Sequence, residues 1–456
     1  MWSTTSPTRQ RNDEESAAAV TDSSSDAYSP EKPQRQPLPD DDDPDPPPDG
    51  GRQAWTQVLC MHLVFLNTWG VSNGYGVFQR YYLSRFPSSS PSAVSWVGSI
   101  QVFLVFFVGV LAGRLSDAGH FRPVFAAGVA LQVLGLVTAS FATAYWQVLL
   151  SHAVCLGVGN GLAFCPALAV LSQYFRRKRA FSVGLASAGA AVGGLVYPVM
   201  VDRLVDDPAA GYPWAMRAMA FIMFATYIPC LVLMKPRITP DRSAAGSNNT
   251  TERRPWLDTS ALREPSFVFF SLCFFLCFWG LYFPFFYLGT YALEVVHIAR
   301  PVNLVMVLNG VGVVGRIIPP LVADRVTGLL NLLIVFSLAS AALVYAWAAV
   351  GSSAAGLYVF AVCNGLLAAS LQSLLPAAAT TMAPDPKRAG TRIGMILCFV
   401  SFANLTGPAI CGEIIKRMGG AYLGAQMFAG SSILLGALMA VAARVAKAGA
   451  QVKVKV

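Results

Sequence analysis

The sequence is poor in charged residues. Only 12% of its 456 residues are Asp, Glu, Lys or Arg, whereas 55% are hydrophobic. Soluble domains average about 25% charged residues, so the surface of this chain cannot face water alone. The composition argues against a soluble enzyme and favours a protein embedded in a lipid bilayer.

Motifs for catalysis, metals and cofactors are also missing. The sequence has no HExxH and no paired acidic residues inside an apolar run, and all nine cysteines fall in apolar runs. Cys273 and Cys277 lie one helical turn apart without a His or a further Cys beside them. The GxGxxG at residues 310–315 lies inside an apolar run and follows no strand, so a dinucleotide site is excluded by context. We expect no enzyme activity, no cofactor and no metal.

Charges of opposite sign are separated along the chain. Residues 1–49 hold twelve of the 24 carboxylates and only four basic residues, and the remainder has 29 basic against 12 acidic residues. Ser, Pro and Asp dominate residues 1–48, which predicts a disordered cytoplasmic tail without a signal peptide. The basic residues elsewhere sit in short gaps between apolar runs, so we expect a lipid bilayer and a small-molecule substrate as partners and no nucleic acid. The sequence does not indicate whether an accessory subunit exists.

Twelve apolar runs are each long enough to cross about 30 Å of hydrocarbon as a helix. They predict an all-α membrane protein with an N-terminal six-helix half (49–234), a cytoplasmic central loop (235–265), a C-terminal six-helix half (266–445) and a cytoplasmic tail (446–456). The runs lie near 55–80, 93–113, 122–142, 146–173, 180–201, 214–234, 266–294, 302–323, 329–350, 355–380, 391–413 and 421–444.

Lys and Arg are distributed unevenly between the gaps. With the N-terminus inside, the inner gaps carry sixteen basic residues and the outer gaps seven. This asymmetry predicts that both termini are cytoplasmic. We expect the plasma membrane as the location.

The two halves of the chain echo each other. Asn-Gly-Leu at residues 160–162 in the fourth run has a counterpart at residues 364–366 in the tenth. Each is followed by a basic gap and then by a Gly-to-Pro interval of fourteen residues. Six plus six helices with an internal repeat favour a secondary transporter that rocks around a site near the membrane midplane.

The gap after the second run carries a recognisable motif. Residues 113–122 read GRLSDAGHFR, which resembles the GxLaD…R signature of the major facilitator superfamily, with Ala118 in place of a basic residue. The equivalent in the second half is the shorter Ala-Asp-Arg at 323–325. In that superfamily the Asp helps to hold the inner gate. The resemblance implies gating roles for Asp117, Arg122, Asp324 and Arg325.

Two further motifs resemble the monocarboxylate-porter family. Asp-Gly-Gly at 49–51 followed by Trp55 is similar to the opening of these proteins, with one residue more before the Trp. Tyr-Phe-Arg-Arg-Lys-Arg at 174–179, followed by a Gly/Ala stripe from Gly184 to Gly193, is similar to the motif that opens their fifth span. The resemblance covers residues 49 to about 445 and looks closest to fungal members, which include nutrient importers and exporters of secondary metabolites.

Arg316 is the leading candidate for substrate binding. It lies well inside the eighth run, where a charge is costly and normally faces a partner or an aqueous cavity. Its planar guanidinium suits a carboxylate, and the resemblance implies contact with the substrate carboxylate. The alternative is a structural ion pair or a side chain that reaches the nearby interface.

Other polar and aromatic residues inside the runs could line a cavity. Polar side chains in the runs, including Asn67, Gln372 and Asn404, could equally connect helices by hydrogen bonds. The seventh run is aromatic, and a large conjugated substrate could stack against it, although such residues usually face lipid or core. The candidates chosen beside Arg316 are Asn73, Asn160, Asn309, Asn364 and Tyr282.

The chain departs from the family at two positions. The family's first span usually has a Lys that takes part in proton coupling, and Asn73 stands at the matching place. Its eighth span usually has an Asp four residues before the Arg, and Gly312 stands there instead. No carboxylate lies in the middle of a run, and Glu413 lies near an outer end close to Lys416. We therefore expect transport to depend only weakly on a pH gradient.

Taken together, these features predict a secondary transporter that moves a small organic anion or a hydrophobic metabolite across the plasma membrane by alternating access. Export of a fungal secondary metabolite is one version of this prediction. A nutrient importer, for a monocarboxylate or a vitamin such as riboflavin, is an open alternative. A nutrient sensor on a transporter fold is an alternative of another class, against which the short polar tail argues.

Overall fold

A computed structural model describes residues 47–176, 178–237, 258–382 and 386–449. Within these ranges the regular structure is helical, as expected because backbone polar groups in hydrocarbon must pair within their own segment. The helices are α1 (Gly51–Asn73), α2 (Tyr75–Arg85), α3 (Pro91–Leu115), α4 (Phe121–Ala139), α5 (Tyr145–Val148), α6 (Leu156–Ser172), α7 (Arg179–Val205), α8 (Gly211–Leu233), α9 (Pro265–Leu281), α10 (Phe283–Glu294), α11 (Val302–Val322), α12 (Leu329–Val350), α13 (Ala354–Thr381), α14 (Pro386–Arg417) and α15 (Leu423–Ala448).

The predicted all-α membrane fold is confirmed. Eleven helical segments in the described part of the chain are long and apolar enough to cross a membrane. The remaining predicted span corresponds to α1 and α2, which are more polar and are separated at Gly74. Most predicted span boundaries fall within a few residues of the observed helix ends. The exceptions are α2, which extends to Arg85, and α14, which begins at Pro386.

The first span of each half is interrupted near its middle. Gly74 separates α1 from α2, and a Cβ atom there would lie 2.5 Å from the Pro198 ring of α7. Tyr282 separates α9 from α10, because Pro284 in the first turn of α10 has no N–H to continue the helical hydrogen bonds. Both breaks free a span to change direction close to the membrane midplane.

Glycines set the closest helix contacts. A Cβ at Gly189 of α7 would lie 2.0 Å from the His62 carbonyl oxygen of α1, and one at Gly193 would lie 2.3 Å from that of Leu66. The backbones of α1 and α7 therefore touch where no larger residue fits. Gly189 and Gly193 of the Gly/Ala stripe thus serve packing inside the first half of the chain, whereas a Cβ at Gly184 would lie 3.0 Å from the Arg316 carbonyl oxygen of α11 in the second half.

The most extensive contacts between the first half of the chain and the second are those of α3 with α14, α7 with α11, and α2 with α10. We call the end of the bundle at which α1 begins the terminal end, and the opposite end the far end. At the far end, a Cβ on Gly76 of α2 would lie 2.6 Å from the Phe285 carbonyl oxygen of α10. The two halves are therefore in backbone contact at the far end.

The two monocarboxylate-porter-like motifs meet at the terminal end. The Asp49 carboxylate accepts a hydrogen bond of 2.7 Å from the Arg176 backbone N–H, and the Asp49 N–H donates to the Tyr174 carbonyl oxygen at 3.1 Å. The Trp55 ring packs edge-on against Phe175, with centroids 5.4 Å apart. We call these five residues the N-terminal clasp, which ties the start of α1 to the loop after α6.

A second ionic contact braces the terminal end in the other half. Arg392 of α14 is buried and bonds to Asp258 at 3.0 Å and to Glu264 at 2.6 Å. The hydrogen bond from Ser260, together with the Arg392 guanidinium, lowers the pKa of Asp258 from 3.8 to about 2, so this carboxylate stays ionised near neutral pH. Arg392, counted above among the basic residues of the gaps, is therefore a buried structural ion-pair partner.

Candidate functional site

Five aromatic side chains from both halves meet near the middle of the bundle. Trp69 of α1 lies 5.2 Å from Phe106 of α3 and 5.6 Å from Phe164 of α6, measured between ring centroids. Tyr282, at the break between α9 and α10, lies 6.0 Å from Phe278. Trp69 faces Tyr282 across the two halves at 6.5 Å, with an angle of 17° between the rings. We call these five residues the aromatic cluster.

Arg316 adjoins this cluster. It lies on α11 with 3% of its surface exposed, and it is close enough to Tyr282 for the guanidinium to exert an electrostatic effect on the phenol. Its Nη2 donates a hydrogen bond to Oε1 of Gln372 on α13, whereas its Nε has no hydrogen-bond partner among the described residues. No described acidic side chain forms a salt bridge with it. A buried cation that is paired only with a neutral amide is suited to an anionic ligand.

Asn73 and Asn160 offer unused hydrogen-bonding groups beside the cluster. Both are fully buried, and neither the amide nitrogen nor the amide oxygen of either has a partner in the described part of the chain. Asn73 follows Trp69 by four residues on α1, and Asn160 precedes Phe164 by four on α6, so each shares a helix face with a cluster residue. Buried amides need polar partners, which a transported molecule can supply.

Asn364 and Asn309 differ in their surroundings. The Nδ2 of Asn364 on α13 is buried without a described partner. The Nδ2 of Asn309 donates to the Val305 carbonyl oxygen at 3.0 Å within α11, and its side chain packs where a Cβ on Gly194 of α7 would otherwise sit. Asn309 therefore lies in the α7–α11 contact, and its geometry favours a packing role.

The four proposed gating residues lie at the terminal end. The backbones of Asp117 and Asp324 belong to wide, π-helical turns at Ser116–His120 and Ala323–Thr327. The side chains of these two aspartates lie outside the described part of the structure. Arg122 and Arg325 are exposed.

A polar and aromatic contact at the far end was not foreseen from the sequence. Gln79 of α2 donates to the Ser95 hydroxyl of α3 at 2.9 Å, and Ser95 hydrogen-bonds in turn to the Tyr287 hydroxyl of α10. Tyr75 packs on Phe286 with ring centroids 4.6 Å apart. We call these five residues, with Gly76, the far-end seal. None of them is charged, so charge patterns could not reveal them; an uncharged Gln inside an apolar run was the available signal.

Comparison of the sequence with known proteins identifies the family of this chain. The model of the Major Facilitator Superfamily matches residues 58–408. An MFS-type transporter of Gibberella zeae is 40% identical over 400 residues, which cover 87% of each chain.

The chain belongs to the major facilitator superfamily. It is a multi-pass membrane transporter, and the predicted superfamily membership is confirmed. Two further relatives have names that state a cargo. The agnestins efflux protein AgnL12 of Paecilomyces divaricatus is 33% identical over 82% of this chain and 83% of its own. The aspyridones efflux protein apdF of Emericella nidulans is 28% identical over 92% of this chain and 81% of its own.

In a major facilitator, the site must be reachable from alternate sides as two halves rock about it. The aromatic cluster fits this requirement, because Trp69, Phe106 and Phe164 come from the first half and Phe278 and Tyr282 from the second. Arg316 adds a cation from the second half. Of the residues named from the sequence, Arg316 and Tyr282 lie together in the structure, and Asn73 and Asn160 lie on faces shared with the cluster.

Proposed function

We propose that this transporter exports a small organic anion or a hydrophobic metabolite across the plasma membrane, and that Arg316 binds the anionic group. The observation that carries the proposal is the buried Arg316 guanidinium, which has a neutral amide as its described partner and lies beside the aromatic cluster. Burying an unpaired cation costs several kcal/mol, and an anionic substrate would offset that cost.

The relatives' names favour export, and the charge distribution gives the sidedness of the far-end seal. The names of two relatives describe efflux of agnestins and of aspyridones. The distribution of Lys and Arg favours a cytoplasmic terminal end, in which case the far-end seal closes the extracellular side. Importers and exporters both pass through a state that is closed on the extracellular side, so the names of the relatives carry the direction in this proposal.

The monocarboxylate-porter-like resemblance gains a physical basis from the N-terminal clasp. Its two motifs, at 49–55 and 174–179, are more than one hundred residues apart in sequence, yet Asp49 and Trp55 contact the second motif directly. We include in the proposal that the chain is a member of this family. Asp117, Arg122, Asp324 and Arg325 would then close the cytoplasmic side in the alternate state, after the far-end seal opens.

Direction can be tested in yeast cells that express the full chain. The cells are loaded with a panel of small aliphatic and aromatic carboxylates, and the internal amount of each is followed by mass spectrometry. We expect at least one acid to leave faster than from cells that express Arg316→Ala at equal membrane abundance. Faster net uptake instead would identify an importer, and no flux in either direction would favour a sensor; either result would contradict the proposal.

A further inference from the structure

Trp69 and Tyr282 present nearly parallel aromatic rings to each other across the two halves of the chain. The rings are within 17° of parallel and their centroids are 6.5 Å apart, near the wide end of the range of about 4.5–7 Å for interacting aromatic pairs. A third flat ring between two others needs roughly 7 Å, which is twice the carbon–carbon contact distance of about 3.5 Å. A ligand ring can therefore stack between Trp69 and Tyr282 once the two halves move apart far enough to bring the ring planes to this spacing.

The walls of the gap between these two rings also carry unsatisfied polar atoms. The Trp69 Nε1, the Tyr282 hydroxyl and the Arg316 Nε are buried and have no hydrogen-bond partner among the described residues. Buried Trp and Tyr usually find partners for these groups. Three donors therefore surround an apolar, flat-walled gap, and the only formal charge among them is positive.

We infer that the ligand is a planar aromatic or conjugated organic anion, whose ring system stacks between Trp69 and Tyr282 while its acidic group pairs with Arg316. This inference rests on the proposed function and narrows its substrate class. Phe106, Phe164 and Phe278 enclose the edge of the ring system, and the Asn160 amide, on the Phe164 face of α6, receives a carbonyl or hydroxyl substituent.

Ring stacking across the gap also links binding to transport. Trp69 belongs to the first half of the chain and Tyr282 to the second, so a stacked ligand contacts both halves at once. Tyr282 lies at the α9–α10 break, and α10 carries Phe286 and Tyr287 of the far-end seal. A ligand that widens the gap therefore shifts the helix that closes the far end. An aliphatic anion would fill the gap less completely and lacks a flat face.

The test uses three probes of matched skeleton with the purified full chain in detergent. They are 2-naphthoate, its saturated analogue decalin-2-carboxylate, and the neutral 2-naphthalenemethanol, and calorimetry gives the dissociation constants. We expect naphthoate to bind about five- to ten-fold tighter than either analogue, because stacking and charge pairing each add on the order of 1 kcal/mol. Trp69→Leu and Tyr282→Leu should weaken naphthoate more than the decalin acid and so remove the preference for the aromatic probe.

Two further variants separate the possible failures. Trp69→Phe and Tyr282→Phe keep a flat ring and should retain most of the preference for naphthoate, even if the leucine variants fail to fold. Equal binding of naphthoate and the decalin acid to the wild-type chain, or binding of none of the probes, would overturn the inference. If both acids bind equally and Arg316→Gln weakens both, the aromatic class is wrong but the anion transporter stands. If Arg316→Gln weakens neither acid, the proposed role of Arg316 fails as well.

Discussion

At the residue scale, the decisive feature is a buried cation that has no acidic partner among the described residues. Arg316 is 3% exposed, and the polar group that the structure places against it is the Gln372 amide. A charge in this position costs more than a neutral residue, so its presence requires a compensating role. Gly312, one turn earlier, leaves the position empty at which the family usually has an aspartate.

Individual residues also lead to a prediction about proton coupling. Asn73 and Gly312 stand where the monocarboxylate-porter family, which the sequence resembles, usually has its titratable pair, and the half-buried Glu413 is paired with Arg417 at 2.9 Å. We expect the flux of an organic anion into reconstituted vesicles to change less than two-fold when a pH gradient is imposed. A two-fold change corresponds to a free-energy difference of less than about RT. Glu413→Gln should leave the flux unchanged. Proton-driven accumulation that survives Glu413→Gln would contradict this expectation and would direct attention to the buried His152, which hydrogen-bonds to Tyr82 at 2.7 Å.

Some site residues could be predicted from the sequence, and others could not. Arg316 stands out in an apolar run because a charge there is rare, and Asn73 and Asn160 stand out as amides. Trp69, Phe106 and Phe164 were missed, because 11% of the chain is aromatic and an apolar helix surrounded by lipid and protein gives no periodic signal for its inner face. Asn67 and Asn309 carry the same signal as Asn73, yet their hydrogen bonds to Tyr197 and Val305 respectively favour packing roles.

At the scale of elements, the helices themselves were predictable and their contacts were not. Hydrophobic length places a span from Leu329 to Val350 without further information. The sequence does not reveal that Asp49 closes onto the loop after α6, because that contact joins residues 127 positions apart. The break at Gly74 was likewise hidden, since a single glycine is compatible with an uninterrupted helix.

From the N-terminal clasp we predict how much of the N-terminus can be removed before the protein loses stability. Removing residues 2–47 should leave folding and transport intact, because Asp49 is retained. Asp49→Ala should lower stability by about 1 kcal/mol, the usual worth of a lost side-chain hydrogen bond to backbone N–H groups. Thermal unfolding of the purified variants in detergent measures both. A loss of folded protein on removal of residues 2–47, or an unchanged melting temperature in Asp49→Ala, would refute the assignment.

The far-end seal predicts that one glycine is needed for alternating access. Gly76→Val should hold α2 and α10 apart, because its Cβ would lie 2.6 Å from the Phe285 carbonyl oxygen. We expect lost transport together with increased labelling from the far side of a cysteine placed at Ser99, one turn below Ser95 on α3. Gly289→Val on α10 is the matched control, since no atom lies within 4 Å of its added Cβ. Unchanged labelling and flux in Gly76→Val would show that the seal is not a gate.

At the scale of the whole molecule, the two halves meet at the far end and around the aromatic cluster, an arrangement that suits a carrier with one site and alternating access. The distribution of sixteen basic residues in one set of gaps against seven in the other predicts that both termini are cytoplasmic. We expect epitope tags before Met1 and after Val456 to be protected from impermeant reagents in intact cells and to react after permeabilisation. Labelling of either tag from outside would reverse the orientation and, with it, the assignment of export.

The central claim is that an organic anion crosses the membrane through this protein by pairing with Arg316. The most direct measurement is the flux of a radiolabelled organic acid, chosen as the best-transported member of the carboxylate panel, in vesicles reconstituted with purified wild type, Arg316→Ala, Arg316→Lys and Arg417→Ala. Arg417 is an exposed arginine whose removal should leave the flux unchanged. The account predicts that Arg316→Ala abolishes the flux, and that Arg316→Lys reduces it by about ten-fold or more, because a point charge does not reproduce the bidentate guanidinium contact. Wild-type flux in Arg316→Ala would contradict it.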